Sequence, residues 1–255
     1  KPKLVIIQIG DLKESNSYIN QKVKFGNKIG ALVEHKKLPA LTTQTEIETL
    51  IEDLNQDGSV HGIIVQMPIP ENLIKNDIIN CIYPKKDVDG LTDTNQRLLA
   101  EDNPDAIVPA TAKGVVSLLN YYQIPIRDKK VAVVGRSKLV GAPVASLLQN
   151  HGATIDVGHS QTEDLTMVTK PADIIVVAVG KPNLINKTNV APNQTVIDVG
   201  INVEDAEGER KLKGDVDFEE VSQIVAAISP VPGGVGPMTV ASLFENLLQA
   251  YKKQS

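Results

Sequence analysis

The sequence predicts an α/β fold made of two α/β domains, the second a Rossmann-like parallel sheet, with an interdomain cleft. Three observations carry this. Apolar runs alternate along the chain with segments of helical period, the order expected of parallel sheets. Asp173–Val179 and Thr195–Val199 are near-continuous apolar runs ending at Gly180 and Gly200, as strands covered on both faces do. Val131 to Ser160 reads as strand, glycine turn, helix and strand, a βαβ unit of about thirty residues.

Element by element, Lys3–Ile9 reads as a strand ending at Gly10-Asp11, and Ser15 to Ile29 as a helix stopped by Gly30. Ala31–Lys36 is the next strand. Thr43 is placed to cap a helix through Ile47, Leu50, Ile51 and Leu54 that stops near Gly58. His61–Gln66 is a strand broken by Pro68 and Pro70. A helix is expected over Asn72–Tyr83 and a long one over Thr111–Tyr122. Val131–Val134 is a strand, a helix follows through Val144, Leu147 and Leu148 to Gly152, and Ala153–Val157 is a strand again. Lys213–Asp217 and Ala226–Ser229 are short elements. Val240, Leu243, Phe244, Leu247, Leu248 and Tyr251 mark a final helix capped by Thr239. The predicted domains are residues 1–115, completed by the helix 239–255, and residues 116–238.

At 255 residues the chain can form one large or two small domains. Hydrophobic content of 42% and charged content of 22% are those of a globular protein. No apolar run nears the roughly 20 residues that span a bilayer. One cysteine, Cys81, excludes an internal disulfide, and four scattered histidines offer no metal-ligand cluster. A cytoplasmic setting fits. Net charge is −5 with the signs interspersed, and aromatics are only 3% with no Trp, which argues against nucleic acid as partner. The first residues, Lys1-Pro2-Lys3, run straight into a strand, and the expectation is a further N-terminal segment ahead of them.

The βαβ unit carries the clearest chemistry. A helix N-terminus after a glycine turn offers free N–H groups and a positive dipole end to a pyrophosphate. NAD-binding units place a carboxylate at the end of the second strand for the ribose hydroxyls. Here His159-Ser160 stands in that place, and Arg136 and Ser137 follow Gly135 in the turn. Guanidinium, imidazole and hydroxyl can hold a 2′-phosphate that a carboxylate would repel, so the residues favour NADP over NAD. The turn is not G-x-G-x-x-G, and on spacing alone a nucleotide-free unit fits as well.

Four other features stand out. Tyr18 and Lys22 lie four apart on one helix face, yet precede the glycine turn, the reverse of the order in short-chain dehydrogenases. On its own that pair suits a solvated face. Gln66 ends a strand, flanked by Val65, Met67 and Pro68, where open sheets place ligands. Lys86-Asp87-Val88-Asp89-Gly90 is a loop with two carboxylates, a poor metal cage and compatible with a plain turn. Ser229 to Thr239 holds three prolines and three glycines in one run up to Pro237, a stiff loop with exposed amides.

Together these segments resemble one family, the bifunctional methylenetetrahydrofolate dehydrogenase/methenyltetrahydrofolate cyclohydrolases. The matching stretches are SYINQK (17–22), GIIVQMPIP (62–70), KKDVDG (85–90), VVGRSKLVGAP (133–143), HS (159–160), DVGIN (198–202), GDVDF (214–218) and PVPGGVGPMT (230–239). They fall in family order over nearly the whole chain. The resemblance implies NADP-dependent oxidation of methylenetetrahydrofolate, then hydrolysis of the methenyl product to formyltetrahydrofolate. Lys22 takes the proton-handling role, with Tyr18 and Gln66 beside it. Val65, Gln66, Met67, Asp89, Pro232, Gly233 and Gly234 join Tyr18 as folate contacts. Gly135, Arg136, Ser137, His159, Ser160 and Ile201 hold NADP. It further implies a cytoplasmic homodimer serving purine biosynthesis, and an N-terminal helix absent here. Pro109-Ala110-Thr111-Ala112-Lys113-Gly114 departs from the family's P-C-T-P-x-G, read as altered loop packing. A monofunctional member and a non-catalytic nucleotide-binding relative are the alternatives. A hydroxy-acid or amino-acid dehydrogenase would need a positive anchor for its substrate carboxylate, and the first half of the chain shows no obvious arginine placed for one.

Overall fold

The computed structural model describes residues 1–206 and 209–254. β1 (Lys3–Ile9), α1 (Lys13–Lys28), β2 (Leu32–Leu38), α2 (Gln44–Gln56) and β3 (Gly62–Val65) follow one another close to the predicted bounds. Next come α3 (Lys75–Asn80), α4 (Asp93–Ala100), α5 (Ala110–Tyr121), β4 (Lys130–Val134), α6 (Gly141–Asn150) and β5 (Thr154–Gly158). α7 (Thr166–Thr169), β6 (Ile174–Val177), β7 (Thr195–Asp198), β8 (Asn202–Ala206) and β9 (Glu209–Lys213) lead to α8 (Phe218–Val221), β10 (Ala227–Ile228) and α9 (Val235–Gln254). The chain forms two compact units, Lys1–Ala110 with Val240–Ser255, and Thr111–Thr239.

The first unit is built on a three-stranded parallel sheet in the order β2-β1-β3. Successive side chains of a strand point to opposite faces, and β1 divides its apolar residues accordingly. Leu4 and Ile6 join Ile19 of α1 and Leu243, Phe244 and Leu247 of α9 in one core. Val5, Ile7 and Ile9 join Ile47, Ile51 and Leu54 of α2 and Ile78 near them in another. With both faces covered, β1 reads as an apolar run interrupted only by the buried Gln8 after Lys3. The second unit holds a five-stranded parallel sheet, β10-β7-β6-β4-β5, and a separate antiparallel hairpin of β8 and β9.

Several expectations are corrected. The helix over Asn72–Tyr83 shrinks to Lys75–Asn80, because Asn55 of α2 takes over its end. Asn55 Nδ2 donates to the Cys81 carbonyl at 2.7 Å, and its Oδ1 accepts the Tyr83 amide at 3.0 Å. α4 went unpredicted because its polar sequence lacks an apolar period, although Thr92 caps it by accepting the Asn95 amide. β8 and β9, rich in charge, were likewise missed, as was the single turn α7. Thr239 does not cap α9. The helix starts at Val235, and Thr239 Oγ1 donates back to the Val235 carbonyl at 3.2 Å. Pro237 is tolerated inside because the first-turn amides have no helical partner. The segment at Ala110 and Ala112 is the start of α5, not a loop, and both alanines are buried.

Thr43 does cap α2: its hydroxyl accepts the Glu46 amide, while the Glu46 carboxylate accepts the Thr43 amide at 2.8 Å. Thr43→Ala should therefore cost about 1 kcal/mol, measured as a shift in urea midpoint at unchanged slope.

Candidate active site

In the first unit α1 fixes Tyr18 and Lys22 on one side while Ile19, between them in sequence, packs into the core. Both are half-buried. β3 ends at Val65, and the Gln66 amide makes one more sheet bond, to the Ile7 carbonyl at 2.8 Å. That bond holds Gln66 at the strand's C-terminal end. Its Oε1 accepts from Lys22 Nζ at 2.7 Å, and its Nε2 donates to the Met67 carbonyl at 2.9 Å. Gln66 is 8% exposed, so the amide is a fixed acceptor for the lysine. The buried Ser15 hydroxyl, also on α1, donates to the same Met67 carbonyl at 3.4 Å.

The two carboxylates of the 86–90 loop have different duties. Asp87, 1% exposed, accepts the amides of Gly90, Leu91 and Thr92, the Thr92 hydroxyl and Asn95 Nδ2, at 2.7–3.2 Å. It is consumed in holding the loop. Lys86 is consumed too, its Nζ donating to the Leu54 and Asp57 carbonyls at the end of α2. Asn246 of α9 ties the loop down from the other side, donating to the Val88 and Val108 carbonyls at 3.0 and 2.8 Å. Asp89 faces Lys22 instead. Burial pushes the Lys22 ammonium below the usual lysine range, opposed by the charge of Asp89. Burial likewise raises Asp89, opposed by Lys22. Each group is driven toward its neutral form by desolvation and drawn back by the other. A half-buried lysine with a depressed pKa, held by an amide oxygen beside a carboxyl, can donate and accept protons.

In the second unit Gly135 makes the turn after β4 at φ +120°, and a Cβ there would overlap the Ala178 carbonyl oxygen. Only glycine fits. Ser137 Oγ accepts the Val140 and Gly141 amides at 3.3 and 3.4 Å, so it shapes the entry to α6. A cavity of about 470 Å³ opens here, lined by Gly135, Arg136, Ser137, His159 and Ser160 together with Thr162, Ala178, Val179 and Lys181. Arg136 Nη2 donates to Gln161 Oε1 at 3.0 Å. His159 Nδ1 accepts the Gln161 amide at 3.2 Å, which leaves its ring proton on Nε2. Among the described residues that line this cavity there is no carboxylate. A glycine turn, a helix N-terminus and three basic side chains fit a phosphorylated dinucleotide.

Five of the six residues expected to hold the nucleotide thus share one cavity. Ile201 does not line it and sits beyond β7, 41% exposed. Sequence reasoning missed Lys181, whose signal was a cation directly after the glycine ending a buried strand. Pro232, Gly233 and Gly234 belong to the second unit, where Gly233 and Gly234 line a different cavity of about 490 Å³ with Leu118, Tyr122 and Ile228. Among the described residues no group of three or more His, Cys, Asp or Glu is placed to hold a metal ion, and no helix is long and apolar enough to cross a membrane.

Asp87→Asn should cost about 3 kcal/mol, because an amide nitrogen would face the donors now on the carboxylate. Asp89→Asn should cost less than about 1 kcal/mol, since burial disfavours the charge it removes. Urea denaturation of both variants checks the contrast.

Residues 1–89 match the family model of the tetrahydrofolate dehydrogenase/cyclohydrolase catalytic domain, and residues 109–255 that of its NAD(P)-binding domain. A Chlamydia pneumoniae protein named bifunctional protein FolD is 45% identical over 261 residues, covering 100% of this chain and 91% of that protein. The crystal structure of the bifunctional FolD methylenetetrahydrofolate dehydrogenase/cyclohydrolase from Campylobacter jejuni superimposes with a TM-score of 0.95 at 41% identity, over 100% of this chain and 89% of the other. The Trypanosoma brucei enzyme, solved with NADP cofactor and inhibitor, gives a TM-score of 0.95 at 37% identity, over 99% and 87%.

Proposed function

The chain belongs to the tetrahydrofolate dehydrogenase/cyclohydrolase family, and from that premise we propose that it is bifunctional. It oxidises methylenetetrahydrofolate to methenyltetrahydrofolate with NADP, then hydrolyses that product to formyltetrahydrofolate. The single observation that adds the second activity to the first is the Lys22–Gln66 hydrogen bond beside Asp89. A dehydrogenase alone needs no such proton carrier.

In this reading residues 1–115 with 239–255 bind the folate, and residues 116–238 bind the cofactor. Asp89 accepts hydrogen bonds from the pterin amino group and ring N–H, and Tyr18 stacks on the flat ring system. Val65 and Met67 wall the strand end. NADP, when bound, supplies the hydride acceptor for the first reaction. Arg136, His159, Ser160 and Lys181 read its phosphates, and the Gly135 turn admits its backbone. In the second reaction water adds to the methenyl carbon. Lys22 takes a proton from that water and returns it to the ring nitrogen as the C–N bond opens, the remaining hydroxyl proton passing to solvent as the formyl C=O forms, while Gln66 keeps the amine aimed. Desolvation lowers the cost of its unprotonated form. A homodimer, a cytoplasmic setting and supply of one-carbon units to purine biosynthesis complete the proposal, supported by the family resemblance.

Lys22→Met should lower cyclohydrolase turnover at least about 100-fold while measurable dehydrogenase activity remains. NADPH formation and methenyl absorbance, followed together, check it. Equal loss of both activities with folate binding intact would contradict a separate proton role. Arg136→Ala should raise KM for NADP by about 10- to 100-fold and that for NAD by less than about twofold. A matched rise for both would show that Arg136 does not read the 2′-phosphate.

A further inference from the structure

We infer that Asp215, a residue outside the nucleotide cavity, is a positioning residue for NADP binding, acting through the turn that follows β6. The inference rests on reading the Gly135 cavity as the NADP site.

Asp215 is fully buried. Its Oδ2 accepts the amides of Val179 and Gly180 at 2.7 and 2.9 Å, and its Oδ1 accepts Asn202 Nδ2 at 2.9 Å. Val179 lines the nucleotide cavity, as do Ala178 and Lys181 on either side of the two bonded amides. The peptide group is planar and trans, so an amide drawn toward Asp215 turns its carbonyl partner the opposite way. For the 178–179 peptide that carbonyl is Ala178 O, which lies where a Cβ on Gly135 would stand. One carboxylate therefore presses the end of β6 against the glycine turn and sets the wall of the cavity.

The arrangement is built around this residue. A Cβ at Gly200 would overlap the Asp215 carboxylate, and a Cβ at Gly214 would overlap that of Asp198. Asp198 in turn accepts the Gly200, Asp215 and Val216 amides at 2.9–3.0 Å. Asp198 thus fixes the backbone that carries Asp215, and Asp215 fixes the turn that faces the nucleotide. The three groups bonded to the Asp215 side chain are all donors, so an amide nitrogen in place of one carboxylate oxygen would turn a donor toward a donor.

The test is NADPH titration by its own fluorescence, convenient because the chain has no tryptophan. Wild-type and Asp215→Asn proteins are compared, with cyclohydrolase measured in the absence of nucleotide. The variant should bind NADPH at least about tenfold more weakly and show a matching rise in KM for NADP, with kcat within about threefold and cyclohydrolase within about twofold of wild type. Unchanged NADPH affinity overturns the inference, and so does a cyclohydrolase loss as large as the loss of NADPH binding, which marks general damage. If the variant does not fold, Asn202→Ala, which removes one donor from Asp215, should weaken NADPH about threefold, and an unchanged affinity there overturns it. A wild-type protein that binds no NADPH overturns the cofactor reading itself, a result distinct from failure of the variant alone.

Discussion

Asp87, Asp198 and Asp215 are 1%, 3% and 0% exposed, and their hydrogen bonds come from main-chain amides, one hydroxyl and asparagine side chains. A carboxylate removed from water costs several kcal/mol unless other dipoles replace its hydration. Here the dipoles are the orphan amides of chain segments leaving the strand ends. The exchange works both ways, since those amides would otherwise be buried without acceptors. Both sheets thereby gain rigid, irregular loops at the edge where ligands meet open parallel sheets. A lysine or arginine partner would satisfy the same charge, but would fix one point and leave the amides unmet.

The balance is visible at Asp198. Three amides favour its ionised form, yet burial prevails and its carboxyl is pushed up to about 6. A folded-state pKa above the unfolded value means the native state binds the proton more tightly. The stability Asp198 contributes is complete below the ordinary value of 3.8 and is lost as pH rises through about 6. At neutral pH the loop geometry is thus kept against the preference of that one group. Lys22 shows the same force with the opposite sign, burial depressing an ammonium.

The fold was legible wherever one periodicity dominated. β1, β4, β6 and β7 are dominated by apolar residues, and α2 announced itself through Thr43 and Glu46. The hidden elements depended on distant partners. The end of α3 is set by Asn55, far upstream in sequence, and the hairpin of β8 and β9 carries charges on both strands. Of the site, the residue types and strand ends could be read: Lys22 and Gln66 do meet, and Gly135, Arg136, Ser137, His159 and Ser160 do share a cavity. Lys181 had only a local signal, a cation after the strand-ending Gly180, and it is the pairing of β6 beside β4 that brings its turn against Gly135.

The two Asp-Val-Asp triplets show why local sequence runs out at this level. In both, the central valine is buried, Val88 at 0% and Val216 at 2%, and the first aspartate is consumed by backbone donors. The third residue then differs. Asp217 caps α8 by accepting the Glu220 amide at 3.2 Å, a structural duty. Asp89 has Lys22 before it. Identical triplets yield a helix cap in one place and a carboxyl group beside a lysine in the other, because their C-terminal neighbours differ. Phe218-Glu219-Glu220 continues as a helix, whereas Gly90 turns at φ +73°. The glycine ends the segment before a helix can claim the second carboxylate. That leaves Asp89 outside any helix cap, and the distinction lies in the residue after the motif, not in the motif.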